Sequence, residues 1–119
     1  MRYSVAVLLT LAIATAGLTM PGRRTAKADA PLQHVTVVVF DSRFELSRTP
    51  LAPGKVVFTV INRGQAIHNF DIVGVRGSPF LAPGSRDTVT AALAKGRFYY
   101  LCTIPDHAGY GQFGYLIVR

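Results

Sequence analysis

Near the C-terminal end of this sequence a thiol, an imidazole and an amide follow one another at five-residue intervals: Cys102, His107 and Gln112. The stretch between them (Thr103-Ile104-Pro105-Asp106, then Ala108-Gly109-Tyr110-Gly111) is broken by proline and glycine, so it folds as a tight loop that returns the imidazole and the amide toward the sulfur. A second imidazole, His68, stands 34 residues upstream of the cysteine in the run His68-Asn69-Phe70. One thiolate and two imidazoles make a trigonal donor set that a weak axial donor completes, and this is the arrangement of blue-copper electron-transfer sites. The soft sulfur favours Cu(I), imidazole serves both oxidation states, and a rigid loop limits reorganisation between them.

Other chemistry draws on the same residues. Cys-His-His with an oxygen donor also suits Zn²⁺. A cysteine beside a histidine is the minimum of a cysteine hydrolase, but no nucleophile motif accompanies this pair. A buried free cysteine is often inert, a loop histidine often merely solvated, and His68 alone reads equally as a residue at a strand start. His34 has no motif around it and reads as a surface or strand-edge residue, and Asp106 as part of the loop.

Composition narrows the choice. The single cysteine excludes an internal disulfide, a Cys-x-x-Cys zinc ribbon, a cysteine-bound iron–sulfur cluster and a two-cysteine copper centre. Both methionines, Met1 and Met20, precede residue 29. Once the leader described below is removed, no thioether remains to serve as axial ligand. Gln112, through its carbonyl oxygen, is then the best side-chain candidate, with the backbone carbonyl of Ile67 as the other weak donor. An oxygen is harder than a thioether and favours Cu(II), so the expected reduction potential lies below that of a comparable methionine site.

The elements that must position these residues are strands. With 119 residues the chain allows one domain, and a charged fraction of only 16% with 12 aromatic residues argues against disorder. From Gln33 onward, β-branched and aromatic residues predict strands over 35–40, 44–47, 55–62, 69–73, 86–91, 96–103 and 115–118. The motif Leu-Ala-Pro-Gly occurs twice, at Leu51–Gly54 and Leu81–Gly84, and reads as one turn used twice. Thr90–Lys95 is the only stretch beyond the N-terminal region that suggests a helical turn. Several short strands separated by turns mean an all-β sandwich or barrel.

The first 28 residues read as an export signal. Arg2 is followed by a 14-residue apolar run, Val5–Leu18, and then by the small-x-small site Ala26-Lys27-Ala28. A membrane-spanning helix needs about 20 apolar residues. The expected organisation is a signal peptide over 1–28 and one domain over 29–119, placed in the periplasm or secreted, with no stable membrane insertion after cleavage. Four of the 13 basic residues (Arg2, Arg23, Arg24 and Lys27) precede Asp29, whereas all 6 acidic residues lie from Asp29 onward, so the formal charge of +7 falls to near +3 for the domain. No basic stripe survives, and nucleic acid is not an expected partner.

On His68-Asn69-Phe70 together with Cys102-x4-His107-x4-Gln112, the chain resembles the cupredoxin family, over roughly Val35 to Val118. The resemblance implies a Greek-key β-sandwich of seven or eight strands with one type 1 copper ion at one end, held by His68, Cys102 and His107. It implies an axial position at 112, where the family's usual methionine is replaced by glutamine, as in the stellacyanin branch. That branch carries a disulfide which this chain cannot form. The resemblance further implies that Asn69 bonds the residue after the cysteine, Thr103, and ties the two ligand loops together. The expected function is a one-electron carrier, not an enzyme. It would work as a monomer between transient redox-protein donors and acceptors, with electrons leaving at the His107 edge through an apolar patch of Ile67, Pro105, Ala108 and Tyr110. Copper storage or delivery through the same ligands is the alternative.

Overall fold

The computed structural model describes residues 12–17 and 30–119. The leader expected over 1–28 therefore lies outside the described residues apart from 12–17, which are exposed. Within the domain, period-two alternation sets the strands. In β1 (Gln33–Val39) residues Val35, Val37 and Val39 face inward, and in β3 (Gly54–Asn62) Val56, Phe58 and Val60 do. β2 (Phe44–Leu46) follows β1 through a short reversal. β4 (Asp71–Ile72) and β5 (Arg76–Gly77) form a small hairpin. β6 (Arg86–Leu93), β7 (Gly96–Leu101) and β8 (Phe113–Val118) complete the chain.

These eight strands make two four-stranded sheets, ordered β2-β1-β3-β6 and β5-β4-β7-β8. β1 runs parallel to β3, and every other strand pair is antiparallel. The chain crosses between sheets from β3 to β4, β5 to β6 and β6 to β7, which gives the expected all-β Greek-key sandwich. A parallel bridge between Leu51 and Val118 joins the two layers at one edge. Between them lies a single apolar core in which Val37, Val39, Phe58, Val60, Phe70, Ile72 and Leu116 are fully buried. Each such side chain contributes about 1.5–3 kcal/mol by leaving water.

Local readings differ from the structure at several places, and the strand expected over 96–103 ends at Leu101, with Cys102 and Thr103 in the loop that follows. Thr90–Leu93 is strand, because Val89, Ala91 and Leu93 alternate into the core and Leu93 pairs with Gly54. The strand expected over 69–73 shortens to Asp71–Ile72, since His68 spends its backbone groups on Leu81 and Asn69 is committed to Thr103. β5 has only two residues, Arg76 and Gly77, and no apolar alternation to announce it.

Strand ends put the chemistry at one end of the sandwich. β1 ends at Val39, β3 at Asn62 and β7 at Leu101, and the three segments that follow (40–43, 63–70 and 102–112) meet there. An aromatic layer floors this end. The Phe70 ring lies 5.2 Å from Tyr100 and 5.6 Å from Phe44, and Phe44 lies 5.5 Å from Tyr100. Burial of Tyr100 pushes its phenol pKa upward.

Candidate metal centre

Phe70 lies two residues after His68, and Tyr100 two residues before Cys102. Because strand side chains repeat with period two, the aromatic floor and the two ligand candidates face the same interior. β4 pairs with β7 with Asp71 opposite Leu101. One step further in this register brings Phe70 opposite Cys102, and two steps bring Asn69 opposite Thr103. His68 is fixed by a two-bond bridge to Leu81, with His68 N–H to the Leu81 carbonyl at 3.2 Å and the return bond at 2.8 Å. The loop before it is braced by fully buried Asn62. Its Nδ2 donates to the carbonyls of Ala66 and Leu81, each at 2.8 Å, and its Oδ1 accepts the Gly64 N–H.

The other three candidates share one loop. Cys102 N–H donates to the Gln112 carbonyl at 3.1 Å, closing the loop directly above the last β7–β8 pair. Inside it, Gln112 N–H donates to the His107 carbonyl at 3.1 Å, and a short 3₁₀ turn covers Ala108–Tyr110. Gly111 leaves that turn with φ of 104°, a left-handed conformation that L side chains rarely adopt, and a Cβ there would sit 2.6 Å from the Ser42 carbonyl. Glycine at 111 thus lets the loop pack on the 40–43 segment.

Four donor atoms converge. His68 Nδ1 and His107 Nδ1 are 3.1 Å apart, and Cys102 Sγ lies 3.9 Å from the first and 3.6 Å from the second. Gln112 Oε1 is 3.1 Å from His107 Nδ1. The Gln112 side-chain Nε2 donates to the Phe40 carbonyl, so the amide is oriented with its oxygen toward the cluster. His68, Cys102 and Gln112 are fully buried, and His107 alone is half-buried. All four residues expected from the sequence are therefore brought together, and among the described residues the two histidines and the cysteine form the one cluster of three able to grip an ion. An ion about 2.0–2.3 Å from nitrogen and sulfur donors in trigonal array requires donor spacings of roughly 3–4 Å, which these distances match.

Over residues 4–118 the chain matches the family described as the cupredoxin-like domain. It belongs to that family. Among solved structures this cupredoxin is similar to rusticyanin from Thiobacillus ferrooxidans, with 27% identity and a TM-score of 0.64 over 76% of this chain and 79% of that one. It is also similar to dithionite-reduced auracyanin from the photosynthetic bacterium Roseiflexus castenholzii, with 18% identity and a TM-score of 0.61 over 76% and 98% of the two chains. A multicopper oxidase shares the fold at 19% identity and a TM-score of 0.60, and the cupredoxin spans 42% of that chain. No curated protein sequence matches it.

The contacts around the cluster extend what the sequence suggested. Asn69 Nδ2 donates to Thr103 Oγ1 at 2.9 Å, and Thr103 N–H donates to Asn69 Oδ1 at 2.8 Å, which is the expected tie between the two ligand loops. Asp41 was not singled out by sequence reasoning. Its carboxylate lies 2.9 Å from His68 Nε2 and accepts the backbone N–H groups of Gln65 and Ala66. The hydrogen bond to His68, followed by those two amides, lowers its pKa from 3.8 to about 2. Asp41 is 27 residues from its partner in sequence and sits in no motif, so nothing local could have marked it. His34 is exposed on β1, as expected. Phe113 is about half exposed and lies 6.1 Å from Tyr99 on the outer sheet face.

Proposed function

We propose that His68, Cys102 and His107, with Gln112 as axial donor, hold one copper ion, and that the domain carries single electrons between redox proteins outside the cytoplasm. The convergence of two imidazole nitrogens, one thiol sulfur and an inward-turned amide oxygen carries this reading. A bound copper ion supplies a one-electron couple between Cu(I) and Cu(II). The protein's part is to keep the donors where either oxidation state accepts them. Cys102 is held by its backbone bond to Gln112, His68 by the Leu81 bridge, and the two loops by the Asn69–Thr103 pair. Cys102 and Gln112 are fully buried, which supports a carrier over an oxidase. Two of the similar structures are described as reduced forms, of rusticyanin and of auracyanin, in keeping with redox work on this fold.

His107 is the one candidate ligand that reaches toward solvent, and Ile67, Pro105 and Tyr110 are exposed in the loops that carry the site. That surface suits the small, short-lived interface of electron-transfer partners. The leader pattern over residues 1–28 supports export. The closed donor set counts against copper storage, which needs ready release.

The test is to load the protein with Cu²⁺ and record its visible and electron paramagnetic resonance spectra. An intense thiolate-to-copper band in the wild type, lost in Cys102→Ser, is the expected result. Cupric ion bound without colour would sink the carrier reading and leave a zinc-type site in its place.

A further inference from the structure

Asp41 lies just past the end of β1, on the segment against which the ligand loop packs. Its carboxylate is held independently of the imidazole: Gln65 N–H reaches both oxygens, at 2.9 and 3.0 Å, and Ala66 N–H reaches Oδ1 at 3.1 Å. With its position fixed by backbone donors, Oδ1 stands 2.9 Å from His68 Nε2, and the His68 ring is 1% exposed. Gly64 closes over the pair. A Cβ at that position would lie 2.4 Å from Asp41 Oδ1 and 2.9 Å from His68 Nε2. The loop therefore approaches so closely that only glycine leaves the carboxylate and the imidazole in contact.

An ionised carboxylate can only accept a hydrogen bond. A neutral His68 must then carry its proton on Nε2 and turn an unprotonated Nδ1 toward Cys102 and His107. A carboxylate on the outer nitrogen of a ligating imidazole also raises the basicity of the inner one, and changes to such partners cost about 10–100-fold in metal affinity. A more basic, negatively buttressed ligand favours the ion of higher charge. We propose that Asp41 is a positioning residue that locks His68 in the Nε2–H tautomer and lowers the reduction potential of the centre, with Gly64 conserving the space for the contact. The inference rests on the copper reading above, but its first half concerns the chain alone.

The experiment uses the full chain as wild type, Asp41→Ala, Asp41→Asn and Gly64→Ala. In the metal-free proteins near pH 8, nitrogen NMR reports the His68 tautomer. The wild type should show Nε2–H alone, Asp41→Asn should keep it through the amide oxygen, and Asp41→Ala should show a growing Nδ1–H population. In the copper-loaded proteins, voltammetry should give a higher midpoint in all three variants. A tenfold loss of Cu(II) binding relative to Cu(I) corresponds to about 59 mV. Gly64→Ala tests the contact with Asp41 still present, should Asp41→Ala not fold. Folded Asp41→Ala and Gly64→Ala proteins with the wild-type tautomer and midpoint would overturn the proposal. A wild type that binds Cu²⁺ without colour would overturn the carrier reading and the potential half, while the metal-free tautomer would still decide the positioning half.

Discussion

At position 112 one amide is fixed between two neighbours. Its Nε2 donates to the Phe40 carbonyl, and its Oε1 lies 3.1 Å from His107 Nδ1. The side chain is fully buried, so the orientation is not averaged by solvent. A hard oxygen at the axial position favours Cu(II), and Gln112→Met would replace it with a soft thioether while leaving the Phe40 carbonyl without its donor. The expected outcome by voltammetry is a higher midpoint with the thiolate band retained; a midpoint that stays level or falls would show that Gln112 is not the axial donor. Cys102, His107 and Gln112 were legible because their residue types and the repeated spacing of five carry chemical meaning, and His68 because Asn69 and Phe70 follow it. Asp41 was not, because its role exists only when the turn after β1 meets the loop after β3. A carboxylate in a turn has many uses, and only its 2.9 Å approach to a buried imidazole selects one.

Between elements, the Asn69–Thr103 pair does for the ligand loops what the β4–β7 ladder has ceased to do. The ladder ends at Asp71 opposite Leu101, and the side chain of Asn69 extends the pairing by two further hydrogen bonds. Asn69 is almost completely buried. Asn69→Ala removes both hydrogen bonds to exposed Thr103, each contributing about 0.5–1.5 kcal/mol. Since about 1 kcal/mol shifts the melting temperature of a domain this size by roughly 4–8 °C, thermal unfolding of the metal-free variant should show a clear drop. An unchanged melting temperature would mean that the loops are held by the Leu81 bridge and the Cys102–Gln112 bond alone. The long strands were readable from period-two burial, as in Val35, Val37 and Val39. Of the short ones, β2 and β4 fall within the strands expected over 44–47 and 69–73, whereas β5 was not expected. β5 has two residues, too few to display a period, and it forms against β4, which in turn pairs with the edge that β7 offers. The helical turn suggested by Thr90–Lys95 yields to strand for the same kind of reason: β3 offers partners as far as Gly54.

For the whole molecule, the sandwich buries three of the four candidate donors and leaves His107 half-buried. In the loops beside it, the apolar side chains of Tyr110 and Ile67 are 74% and 52% exposed. The domain charge near +3 makes two copies repel at long range, whereas the patch favours contact at short range. Tyr110→Glu separates these effects. It lowers the net charge of each copy and so weakens the long-range repulsion, yet it puts like charges face to face where two His107 edges would meet. If electrons pass through this patch, self-exchange between oxidised and reduced copies, read from NMR line widths, should slow by about tenfold or more while the visible band and the midpoint stay at their wild-type values. Salt screens charges over a Debye length of about 8–10 Å, so added salt should recover part of the lost rate. A rate that is unchanged, or faster as the reduced net charge alone would make it, would place the exit for electrons on another face of the sandwich.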